Sequence, residues 1–201
     1  MLKKLLSGLL LVPNALFAMH EFELNLNNKD LDLHLNLDIG QFNHSIEPEN
    51  LMMNMRVLMG SNDNARLPYE RDNNVLGELG FLAQSSSAMA PGLTMGMGVK
   101  LAYTYLEHES IFTIPIGIEV DYVLPFDIPL PLHIGGLFYY SPEVLSFSAS
   151  TSYMEYQGNF DIEIMERGLI TMGYRGIDTP VEHQSNAYFN RSYFLGLKYK
   201  F

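Results

Sequence analysis

The sequence predicts an all-β fold: an antiparallel up-and-down transmembrane β-barrel of about ten strands, with eight the other even number that the pattern allows. Three observations lead there. Apolar and polar residues alternate with period two over most of the chain, the alternating segments have the ~9–11 residues of a tilted bilayer crossing, and an export leader precedes them.

Composition narrows the classes first. The chain has 201 residues, 47% hydrophobic and 17% charged, with 12 Tyr, 12 Phe and no Cys. Low charge and many aromatics argue against disorder. A disulfide scaffold and any Cys-ligated metal are excluded, and no cofactor is expected. The formal net charge of -11 leaves nothing to neutralise phosphates in bulk, so nucleic acid is not an expected partner.

Residues 1–18, MLKKLLSGLLLVPNALFA, carry Lys3 and Lys4 ahead of the apolar run Leu5 to Val12, then Pro13 and Asn14 before Ala18. This is the pattern of a secretory signal peptide cleaved after Ala18, with a barrel domain over 19–201. The apolar run is too short to span a bilayer as a helix. Losing two lysines and no acid takes the charge from -11 to -13. The longest later uncharged stretch, Leu79 to Val99, contains Gln84, three serines at 85–87 and Pro91, and reads as strand, turn, strand.

Ten strands are expected near 20–27, 31–40, 50–60, 75–84, 93–106, 111–123, 132–141, 150–165, 169–177 and 191–201. The clearest apolar faces are Leu31, Leu33, Leu35 and Leu37; Met53, Met55, Val57 and Met59; Met95, Met97, Val99 and Leu101; and Ile114, Ile116, Ile118 and Val120. In the eighth strand Met154, Tyr156, Phe160, Ile162 and Ile164 oppose Glu155, Gln157, Asn159, Asp161 and Glu163. Five polar residues in a row on one face do not suit a sandwich core, and a helical period would scatter both sets. Pro115 interrupts the sixth strand, where a bulge is expected.

With Phe201 at the periplasmic end, loops 61–74, 142–149 and 178–190 fall outside the cell and the turn Glu166-Arg167-Gly168 falls inside. Outward aromatics then sort by strand end. Tyr103, Tyr105, Phe112, Phe138, Tyr140, Tyr156 and Tyr193 lie externally; Tyr122, Tyr199 and Phe201 lie periplasmically. Two girdles around an aliphatic band suit a bilayer. The rival, a secreted two-sheet sandwich with the same strands, gives no reason for that sorting. The row Tyr193, Leu195, Leu197, Tyr199 and Phe201 also resembles the C-terminal signal by which barrel-assembly machinery recognises its clients. Outer-membrane lipid and that machinery are the expected partners of a monomeric barrel.

The segments GGLFYYSPEVLSF at 135–147, Tyr153-Met154-Glu155-Tyr156, and Gly173-Tyr174-Arg175 with Ile177, together with the aromatic last strand, resemble the YfaZ family of small Gram-negative outer-membrane proteins. The likeness covers most of the exported chain in strand spacing and is most specific over 132–177. It implies an outer-membrane barrel of this size and brings no activity or functional residues with it.

Inward parity collects the acids Glu21, Glu23, Asp32, Asp38, Glu78, Glu119, Asp121, Glu155, Asp161 and Glu163, against the bases Arg56, Lys100, Arg175, Lys198 and Lys200. Charges in so narrow a lumen must be paired or wet. The first reading is a plug of ion pairs, with Arg175 and Lys100 reaching the acids of the sixth and eighth strands, and a structural or surface-interaction role. The second is a narrow, porin-like path that prefers cations.

Two loop groups, Glu107-His108-Glu109-Ser110 and Glu182-His183 with Ser185, have residue types suited to an acid–histidine–hydroxyl relay. Such residues are common in exposed loops, so no enzyme is expected. Neither histidine has a metal-ligand spacing, and no metal site is expected. Pro125 to Pro131 reads as a rigid turn, and the methionines as lipid-facing filler.

Overall fold

The computed structural model describes residues 20–43, 45–61, 73–106, 109–126, 129–148, 150–180 and 188–201. The leader, most of loops 61–74 and 178–190, Glu107 and His108, and the His183 group lie outside the described residues, while Glu109 and Ser110 are within them. Twelve strands form one antiparallel sheet: β1 (Glu21–Leu26), β2 (Leu31–Asp38), β3 (Leu51–Ser61), β4 (Asn73–Ser86), β5 (Leu93–Leu106), β6 (Glu109–Thr113), β7 (Ile116–Val123), β8 (Leu132–Ser141), β9 (Ser146–Ser148), β10 (Tyr153–Met165), β11 (Gly168–Asp178) and β12 (Tyr188–Lys200). Ten of them close a ring in the order β1-β2-β3-β4-β5-β7-β8-β10-β11-β12, sealed by Glu21↔Lys200 and its neighbours. The short β6 and β9 lie outside the ring. Closure leaves the ten strands no free edge.

The alternation in the sequence becomes an inside and an outside. Outward side chains stay exposed although they are apolar: Met97 at 68%, Leu195 at 59%, Ile116 at 52% and Tyr193 at 78%. Inward charged side chains are the buried ones, with Asp32, Glu155 and Arg175 at 0%. This inverts a water-soluble fold, in which an apolar belt of that extent would not be left uncovered. The outer face also carries packed aromatic pairs, Tyr174–Tyr193 with ring centroids 4.9 Å apart and Phe112–Phe147 at 5.7 Å.

Pro115 acts differently from the expected bulge. The expected strand 111–123 is divided at Ile114–Pro115 into β6 and β7, yet the ladder to β5 keeps one register across the break, from Ala102↔Thr113 to Val99↔Ile116. Lys100 N–H still donates to the Pro115 carbonyl at 2.9 Å. The reciprocal bond is the one a proline cannot make. The irregularity lies on the opposite side, where β8 leaves the ladder at Ser141, forms a 3-10 turn (Glu143–Leu145) and returns as β9 beside β6. Loop 142–149 is thus largely structured.

Glycines thin the wall where large side chains cross it. Tyr139 lies over Gly98 and Gly117, and a Cβ at Gly117 would fall on the Phe138 carbonyl and the Tyr139 ring. That placement lets the Tyr139 hydroxyl donate to Glu119 Oε1 at 2.6 Å and puts Lys100 Nζ 3.8 Å from the ring centroid, a cation–π contact. Gly117→Val should displace Tyr139 and cost about 1–3 kcal/mol of stability. Urea unfolding of detergent-folded protein, followed by tyrosine fluorescence, measures the loss.

Candidate functional site

The termini mark one end of the barrel, here the terminal end; the opposite, distal end holds the turn between β1 and β2. Three layers fill the lumen between them.

The middle layer is ionic and centres on Arg56. Its Nε and Nη2 fork onto Asp32 at 2.9 and 3.1 Å, and Nη1 reaches Glu78 at 3.2 Å and Glu155. Arg56 sits on β3 and Glu155 on β10, five places apart in a ring of ten, so this contact crosses the full diameter. Lys100 on β5 also binds Glu155, at 3.0 Å, and approaches Glu78 at 3.7 Å. The Tyr153 hydroxyl donates to Glu78 Oε1 at 2.7 Å. Arg175 pairs with Asp32, lies 3.7 Å from Asp30, and donates through Nε to Asn190 Oδ1 at 3.2 Å. Asn190 in turn donates to Asp30 at 2.8 Å. Four carboxylates thus meet three cations, and forked guanidinium geometry satisfies several oxygens at once.

Toward the distal end the same inward parity turns apolar. Leu58, Leu76, Ala102, Ile111, Tyr153, Ile177 and Phe189 form one buried cluster. Leu58, Leu76, Ala102 and Ile177 continue the inward rows of Arg56, Glu78, Lys100 and Arg175, and Tyr153 that of Glu155, so apolar side chains pack above the ionic layer.

Toward the terminal end the lumen widens into a vestibule of about 750 Å³ whose lining runs from Arg56, Glu78 and Lys100 to the turn residues Glu47–Asn50, Ser86 and Arg167. Here Lys198 pairs with Asp161 at 2.7 Å and Glu23 at 3.6 Å. Asp121 faces His133 Nδ1 at 3.4 Å. His20 supports the rim, stacked on Phe42 and edge-on to Phe201. Among the described residues no three His, Asp or Glu side chains group to hold a metal ion.

The expected charge network divides between these layers. Arg56, Glu78, Lys100, Glu155 and Arg175 come together in the middle layer; Glu119, Asp121, Asp161 and Lys198 line the vestibule. Arg175 is a correction: it takes Asp32 and Asp30 rather than acids of the sixth and eighth strands, because β2 stands three places from β11 across the closing seam. Glu163 lies near the β10–β11 turn, and among the described residues no ion pair reaches it. Lys200 is exposed at the mouth. Asp38 caps the turn after β2, accepting from Gly40 N at 2.9 Å and Glu49 N at 3.0 Å. The sequence does not place Asp30, Tyr139, Tyr153 or Asn190 in the charge network. Parity could have placed Tyr139 and Tyr153, whereas Asp30 reads as a loop residue. Tyr193, Leu195, Leu197 and Tyr199 point outward from β12 as one exposed apolar row, with Phe201 beyond it.

A closed antiparallel ten-stranded barrel, charged inside and apolar outside, is the class that this fold and lumen define. A family model described as YfaZ precursor matches residues 41–201. The chain belongs to that family. Comparison with curated proteins finds no match.

Replacing Arg56 by Met leaves Asp32, Glu78 and Glu155 without their shared cation and should cost about 3–5 kcal/mol. In a double-mutant cycle with Glu155→Gln, the pair should be less destabilised than the two single changes added, and urea midpoints give the coupling.

Proposed function

We propose that the protein is a small Gram-negative outer-membrane barrel with a plugged lumen, serving a structural or surface-interaction role in the envelope rather than transport or catalysis. The observation that carries this reading is the Arg56–Glu155 contact across the full diameter, backed on its distal side by the apolar cluster around Leu58, Leu76 and Ile177. An ion passing that level would have to break a desolvated charge network and then enter packed hydrocarbon, each step costing several kcal/mol.

The membrane part of the reading rests on the exposed apolar belt, on strands of 10 to 14 residues such as β8, β4 and β5, and on closure, which satisfies the backbone without water. The family description as a precursor supports export through the leader at 1–18. In this orientation the terminal end and its vestibule face the periplasm. Lipid covers the outer belt, and the β12 row from Tyr193 to Phe201 is the surface offered to barrel-assembly machinery. The barrel acts as a monomer.

Acidic surplus in the vestibule favours the narrow cation-preferring channel as the second reading. Planar-bilayer recording separates the two. Mature protein, shown to be folded by its shift on unboiled gels, should leave the bilayer silent. Discrete steps with a cation-biased reversal potential would replace the plugged barrel by the channel.

A further inference from the structure

The vestibule has an unbalanced hydrogen-bond inventory. His133 is nine-tenths buried on its wall; Nδ1 faces Asp121, while Nε2 has no partner. A proton on Nδ1, directed at the carboxylate, leaves Nε2 as an acceptor. Asn54 Oδ1 and Gln157 Oε1 also lack partners. They stand two residues from Arg56 and Glu155 on β3 and β10, one inward layer below the diametric bridge and on opposite walls of its floor. The Glu119 carboxylate takes one hydroxyl hydrogen bond, from Tyr139. Eight acids line this space against five cations; of these Lys100 and Lys198 already hold Glu155 and Asp161, Arg56 is engaged in the bridge above, and Arg167 and Lys200 stand at the mouth. The wall therefore offers acceptors and negative charge in excess of donors.

We propose that this vestibule binds a linear polyamine, entering from the terminal end with one ammonium group at the Asn54–Gln157 floor and another beside Asp121 and His133. Ammonium groups supply only donors and positive charge, which is what the wall lacks. The acceptors are spread along the cavity rather than gathered: Gln157 at the floor lies level with Leu137, and His133 lies level with Asp161, roughly 13 Å of strand nearer the mouth. A compact metal ion cannot reach them together, whereas a flexible chain with spaced charges can. The volume of about 750 Å³ accommodates such a chain. The inference rests on the closed floor proposed above; wild-type conductance without polyamine reads that floor separately, so the two readings fail in different experiments.

Calorimetric titration of spermidine into mature protein folded in detergent micelles, at fixed ionic strength, is the test. Saturable binding is expected, weakened at least tenfold by Glu119→Gln with Asp121→Asn. Both replacements keep acceptors for Tyr139 and His133 and so spare the fold. His133→Phe, which retains an aromatic ring, should weaken binding severalfold. Magnesium at equal ionic strength should fail to displace spermidine. Absence of saturable heat from folded wild-type protein, equal affinity in both variants, or full displacement by magnesium would overturn the proposal, the last reducing it to general charge screening.

Discussion

A guanidinium held at the middle of a ten-stranded ring is the constraint on which the rest of this structure depends. Arg56 on β3 reaches carboxylates on its ladder neighbours β2 and β4 and on β10 across the lumen, so one side chain ties together opposite walls that share no backbone ladder. Such a group is tolerable away from bulk water when its donors are engaged, and three acids take four of its five N–H groups. Lys100 and Tyr153 take the Glu155 and Glu78 oxygens that Arg56 leaves open, and Arg175 shares Asp32 Oδ2 with it. Thinning of the wall at Gly98 and Gly117, which lets Tyr139 lie flat under Lys100, follows from the same need for space.

The layers on either side of that network differ because they answer to different surroundings. Distally, the inward rows turn to Leu58, Leu76 and Ile177 and pack as a small core. At the terminal end the rows remain polar and diverge around a cavity whose charges are only partly matched. The distal half is therefore apolar and packed and the terminal half holds the cavity, which is where the unused chemistry lies.

Much of this was legible in the sequence because period two maps directly onto inside and outside once a sheet closes. The places of the strands, the outward Met and Leu rows and the inward set Arg56, Glu78, Lys100 and Glu155 follow from parity, whereas the choice of ten strands over eight needed the pairing of the sheet. Partner choice did not follow. Parity places Arg175 in the lumen but says nothing of stagger across the β12–β1 seam, which brings it to Asp32 and Asp30. The same limit hid the role of Asp30, a turn residue by pattern that is buried against Asn190. Pro115 was read as a bulge because one strand seen alone must absorb its own defect; in the sheet the neighbouring β8–β9 segment absorbs the irregularity.

Because the chain has no cysteine, single-cysteine labelling can test the central claim directly, that the Arg56 layer divides a wet half of the lumen from a sealed one. In folded protein reconstituted in vesicles, a cysteine at Gln157 should react with a small charged thiol reagent supplied from the terminal end. Cysteines at Leu58 and Ile177 should stay unreactive to reagent from either end, and become reactive from the terminal end when Arg56 is also replaced by Ala. Ready labelling of Leu58 and Ile177 positions with Arg56 intact would contradict the account, showing a lumen open along its length.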